Sequence, residues 1–173
     1  MNRAWWAALA LIAPMAAHAE EASAAAPTET PDWTLQVDPL TTALGFVHVQ
    51  VERVLTPDFS VYVGPSLRLF SGLLGDEDYL GLGAEAGVRW FVQSSAPTGW
   101  WAEVRGVGAH LSTPDDETAW GGYVSALGGY TAIFGGWFVL SGGVGVQYLH
   151  YRVAGLGPVG VLPAAHTTIG VAF

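Results

Sequence analysis

The sequence contains no cysteine and no lysine, and charged residues of every kind make up only 12% of it. Without cysteine there is neither a disulfide framework nor thiol chemistry. Soluble globular domains carry about 25% charged residues, so a soluble secreted fold built from this chain would have too few charges to wet its outer face. The few charges present are mostly acidic, with a formal net charge of −9, which argues against nucleic acid as a partner. Metal and phosphate motifs are missing too. His48, His150 and His166 are too scattered for a metal set of defined spacing, and the glycines follow strand parity rather than a strand-to-helix turn. No cofactor is expected.

What is present begins with an export pattern. Met1-Asn2-Arg3 precedes an uncharged apolar run from Ala4 to Ala17, and Ala17-His18-Ala19 stands just before Glu20. A basic start, a short apolar run and an Ala-x-Ala site read as a secretory signal peptide over residues 1–19. Removing it leaves 154 residues (173 − 19) and a net charge of −10 once Arg3 is gone, which suits one domain. Residues 20–32, rich in Ala, Pro, Thr, Ser and acids, read as a flexible periplasmic lead-in. Residues 33–173 form the expected domain.

The stretch Leu80 to Val92 sets the architecture. Leu80, Leu82, Ala84, Ala86, Val88, Trp90 and Val92 are apolar, while Gly81, Gly83, Glu85, Gly87 and Arg89 alternate with them. Period two means a strand with two chemically different faces. Its length exceeds the roughly 9 to 11 residues that cross a tilted bilayer path. The apolar face is expected to touch lipid and the Glu/Arg face to line a closed barrel.

The same alternation recurs along the chain. Further strands are expected over 34–40, 47–55, 59–69, 100–110, 120–134, 137–151 and 163–173, the first being limited by Pro39. Gly135-Gly136 suits a two-residue hairpin, because both residues can take positive φ. The fold class expected is all-β, a closed antiparallel up-and-down transmembrane barrel of about eight strands. Turns at Pro57, at 94–98 and at Gly135 then fall at the periplasmic end, and 71–78, 112–118 and 154–162 become outer loops. Aromatics are expected in two girdles. Phe59, Trp90, Phe91, Trp100, Trp101, Phe134, Trp137 and Phe173 stand near the periplasmic ends. Phe70, Tyr79, Trp120, Tyr123, Tyr148 and Tyr151 stand near the outer ones.

A helical hairpin is the structural rival, since Gly121 to Leu149 is uncharged and its Gly-Gly pairs at 128, 135 and 142 recur every seven residues. It would place Phe134, Trp137 and Phe138 at mid-bilayer and many glycines inside a helix, which disfavours it.

Three segments carry a family resemblance: Gly87-Val88-Arg89-Trp90-Phe91, Val51-Glu52-Arg53, and the alternating end Ala165-x-Thr167-x-Ile169-x-Val171-x-Phe173. Over residues 33–173 the chain resembles the small OmpA/OmpX-like outer-membrane β-barrel proteins of Gram-negative bacteria. The resemblance implies an outer-membrane location among outer-membrane lipid and lipopolysaccharide. It also implies that Phe173 serves as an assembly signal read by the barrel assembly machinery.

The inward set expected from parity is Gln36, Asp38, His48, Gln50, Glu52, Tyr62, Arg68, Glu85, Arg89, Glu103 and Arg105. Of these, Glu52, Arg68, Glu85, Arg89, Glu103 and Arg105 are expected to pair into a network that fills the lumen, because unpaired buried ions are costly. A narrow gated ion pathway is the alternative use of the same residues. Asp76-Glu77-Asp78 and Asp115-Asp116-Glu117 could hold a divalent cation at the outer loops, although solvated loop charge explains them as well. His110 and Ser112, with Glu117 nearby, resemble the His-x-Ser pair of outer-membrane lipid A deacylases, but Thr113 stands where that family usually has Asn. The expectation is therefore a non-catalytic envelope protein with a structural or surface-interaction role; a lipid A hydrolase and a narrow channel are the alternatives.

Overall fold

A computed structural model describes residues 30–43, 45–69, 80–93, 95–112, 118–151 and 159–173. Eight strands follow one another around a closed antiparallel barrel, each bonded to its sequence neighbours, with the last returning to the first. They are β1 (Trp33–Val37), β2 (Phe46–Thr56), β3 (Phe59–Leu69), β4 (Leu80–Phe91), β5 (Gly99–Ser112), β6 (Thr118–Phe134), β7 (Phe138–His150) and β8 (Val159–Ala172). One short helix, α1 (Pro39–Ala43), joins β1 to β2. Closure leaves no free sheet edge along the length over which β1 reaches, the way an up-and-down barrel avoids edge pairing.

Period-two alternation fixes which way each side chain points. Along β5 the odd residues Trp101, Glu103, Arg105, Val107, Ala109 and Leu111 are buried, while Trp100, Ala102, Val104 and Gly108 are exposed. The register carries this parity from strand to strand, so that Arg89 stands opposite Glu103 and Tyr62 opposite both Glu52 and Gly87. A one-residue slip would turn the charges outward, which makes this register strongly specified.

The chain ends and the tight turns share one end of the barrel, and α1 lies at the other, the far end. At the terminal end the Trp33 N–H donates to the Phe173 carbonyl at 3.0 Å and the Phe173 N–H to the Trp33 carbonyl at 2.9 Å. The turn between β6 and β7 uses Gly135 at φ 61° and Gly136 at φ 78°, and the Trp137 N–H closes it on the Phe134 carbonyl at 3.3 Å. Both central residues are left-handed, a conformation that glycine adopts without Cβ strain. Residues 121–149 are therefore the β6–β7 hairpin. Among the described residues no helix is long and apolar enough to cross a membrane.

Two strand limits differ from the sequence expectation by three residues or more. The first strand stops at Val37 rather than Leu40, because Asp38 caps a helical turn: its Oδ1 accepts from the Thr41 N–H at 3.0 Å, and Pro39 occupies the first helical position. The last strand begins at Val159 rather than Pro163. Pro163 is tolerated inside it because β1 pairs with β8 only from Ile169 to Ala172, so β8 has a neighbour on one side alone at that level. Helix α1 packs against β2 and β8 where β1 is missing.

The aromatic girdles also need correction. Phe91 and Trp101 turn inward, at 0% and 3% exposure, Tyr151 is buried at 4%, and Tyr123 faces inward against Arg68 and Arg105. Trp90, Trp100, Phe59, Phe134, Trp137 and Phe173 remain exposed around the terminal end, and Trp120 and Tyr148 toward the far end. Phe70 and Tyr79 lie outside the described residues. The inward rings fit because glycines face them: Trp101 lies over Gly129 and Gly143, and a Cβ at Gly87 would fall within the Tyr62 ring. Replacing Gly87 with Ala must displace Tyr62, so the denaturant midpoint is expected to fall by an amount equivalent to about 1–3 kcal/mol.

Candidate functional site: the charged lumen

All eleven inward polar residues expected from parity are buried, at 3% exposure or less. They divide into two tiers with different chemistry. Toward the terminal end the tier is built around Arg89, which β4 places directly opposite Glu103 on β5. Its Nε donates to Glu103 Oε2 at 2.6 Å, and its Nη1 donates to Glu52 Oε2 at 2.9 Å. The faces of the guanidinium lie against Tyr62 and Trp101, at 4.9 and 5.0 Å from the ring centroids.

Both carboxylates have further donors. Glu52 accepts from Thr34 Oγ1 at 3.1 Å, Gln36 Nε2 at 2.8 Å and Ser60 Oγ at 2.5 Å. Glu103 accepts from the Tyr62 hydroxyl at 2.9 Å. Ion pairs removed from water are tolerated when their remaining lone pairs are bonded in this way. Below them Phe91, Ala96, Trp101 and Leu127 form an apolar plug, and Trp101 Nε1 donates to Thr131 Oγ1 at 2.9 Å.

His166 links this tier to the next. It stands 3.6 Å from both Asp38 and Glu103 and 3.0 Å from Gln50 Nε2. Thr168 hydrogen-bonds Gln36. Toward the far end, Arg105 Nη2 donates to Glu85 Oε2 at 2.5 Å, and His48 Nδ1 stands 3.2 Å from that same oxygen. Arg68 differs from the other two inward arginines. Three aromatic rings surround it, Phe46, Tyr123 and Tyr151, with centroids at 4.4, 5.2 and 4.6 Å, and among the described residues no carboxylate pairs with it.

Several members of these tiers lie outside the expected inward set of eleven. Thr34, Ser60, Thr131, Thr168 and Trp101 all take part, and their inward positions follow from the alternation that locates the charges. The signal available was glycine: an inward glycine on one strand marks where a neighbouring strand sends a large side chain across, as Gly87 does for Tyr62.

The remaining candidates lie elsewhere. His110 and Ser112 share the outer face of β5 near the far end, where His110 packs edge-on against Trp120 at 5.4 Å. No hydrogen bond joins them among the described residues. Glu117 and both acid triplets, 76–78 and 115–117, lie outside the described residues. Among those described, no three His, Cys, Asp or Glu side chains cluster to hold a metal. Phe173 is 66% exposed at the terminal end.

The fold and its interior define a closed eight-stranded barrel filled by its own ion-pair network. Comparisons of the chain with protein-family models, with curated proteins and with solved structures found no match.

Removing the central cation should expose how much the inner tier depends on it. Arg89→Met leaves Glu52 and Glu103 facing each other without a counter-ion, and urea unfolding is expected to show a loss of about 3–5 kcal/mol. Adding Glu103→Gln to that variant should recover part of the loss.

Proposed function

We propose that this chain is a non-catalytic outer-membrane β-barrel protein of a Gram-negative envelope, with a structural or surface-interaction role. One observation carries the reading. Among the described residues, the only formally charged side chain on an outward strand position is Arg53, and it lies at the terminal rim with its guanidinium 5.1 Å from the Trp33 ring. Between the rims the outer wall is mostly Val, Leu, Ile, Ala and Gly, with Val63, Leu82, Val104 and Val144 all at 60% exposure or more. A soluble barrel inverts this pattern, whereas hydrocarbon requires it. Seven of the strands, β2 to β8, have 11 to 17 residues, enough to cross a bilayer at a tilt.

The export pattern of residues 1–19 and the OmpA/OmpX-like resemblance support the outer membrane as the destination. The partners are outer-membrane lipid and lipopolysaccharide around the wall, and the barrel assembly machinery at the strand ending in Phe173. A blocked lumen supports a scaffold: Arg89, its two carboxylates and the Trp101 plug cross the interior.

The test compares two outward positions. Refolded into lipid vesicles, Val104→Arg, midway along β5, is expected to lose about 2–4 kcal/mol, and Leu55→Arg, at the rim, about 0–1 kcal/mol. Equal effects at both positions, or a chain that stays monomeric in water without detergent, would overturn the proposal. The non-catalytic reading is tested separately: Ser112→Ala should leave the acyl pattern of cellular lipid A unchanged by mass spectrometry, and an altered pattern would assign a hydrolase.

A further inference from the structure

We infer that the far mouth of the barrel holds a binding site for a phosphate group, seated on the Arg68 guanidinium. The inference goes beyond an envelope scaffold and rests on charge and donor geometry inside the barrel.

The charges of the two tiers do not balance in the same way. Around Arg89 there is one guanidinium and two carboxylates, Glu52 and Glu103. Among the described residues, around Arg68 and Arg105 there are two guanidiniums and one carboxylate, Glu85, whose Oε2 is bonded to Arg105. Arg68 and Arg105 both approach the Tyr123 ring, at 5.2 and 5.4 Å, so two like charges face one aromatic ring. Arg68 is 2% exposed. A buried cation without a counter-ion is strongly unfavourable, and an anion removes that cost.

The donors are arranged to receive one. The aromatic rings of Phe46, Tyr123 and Tyr151 take up the region around the guanidinium carbon. Among the described residues, the Arg68 nitrogens left without a partner are Nε and Nη2. Those two N–H groups lie on one edge of the guanidinium and form the side-on fork that matches two oxygens of an oxyanion. Tyr151, 4% exposed, lies against the same guanidinium, and its hydroxyl also has no partner among the described residues. A carboxylate would use both of its oxygens on the fork. A phosphate has a further oxygen for the tyrosine hydroxyl, and so fits three donors.

The phosphate could be free or part of a lipid headgroup, and the experiment separates the two. The full chain is refolded in neutral detergent micelles and titrated with inorganic phosphate, or with phosphatidic acid added to the micelles, and the phosphorus resonance is followed by NMR. Binding of inorganic phosphate assigns a free anion; binding of phosphatidic acid alone assigns a headgroup. In either case Arg68→Gln is expected to weaken binding about tenfold or more, and Tyr151→Phe, which keeps the ring and should fold, about threefold to tenfold. Absence of binding to both probes, or binding unchanged by Tyr151→Phe and Arg68→Gln, overturns the proposal. A chain that binds phosphate only after Asp76, Glu77 and Asp78 are neutralised also overturns it, because the native site would then be filled by its own acids.

Discussion

The interior depends on one buried arginine that holds two carboxylates. Arg89 stands opposite Glu103 through backbone register and reaches Glu52 through its other nitrogen, so strands β2, β4 and β5 are joined by side chains as well as by the backbone ladder. The surrounding hydroxyls and amides follow from that arrangement. Thr34, Gln36 and Ser60 donate to Glu52, and Tyr62 donates to Glu103. A polar network of this kind stabilises only when most of its members are satisfied, because a low-dielectric interior makes each unmet group costly. The barrel is thus inverted in its logic: polar groups hold the middle together, and the apolar side chains face away.

The two tiers have different consequences for the space inside. At the terminal end, Trp101 and Phe91 pack together beneath a charge-rich, well-bonded layer, and glycines on the facing strands make room for the indole. At the far end the side chains are aromatic and their polar atoms less fully used.

Much of the barrel was legible in the sequence because a strand reports its own faces. Eleven polar positions could be assigned inward by parity alone, and the strand order followed from turn and loop lengths. The girdle reading failed at Phe91, Trp101, Tyr123 and Tyr151 for a related reason: nearness to a strand end says nothing about face, and their parity with Arg89, Arg105 and the neighbouring inward residues decides it. The short helix after Asp38 was hidden because Pro39 fits both a strand bend and a first helical turn, and only the Thr41 contact to the Asp38 carboxylate distinguishes them. The tyrosines around Arg68 were also out of reach, since they come from strands far apart in sequence.

The first strand is the shortest, five residues, yet it joins the two most distant parts of the chain, Trp33 to Phe173. Every other pairing links strands adjacent in sequence, so hairpins can form in turn as the chain organises. The ring itself must wait for the largest loop to close, with the fewest residues to reward it. Until that happens β1 and β8 are bare edges, and the charged interior is open on one side. The seam, rather than any hairpin, is where a cylinder becomes distinguishable from a curved sheet.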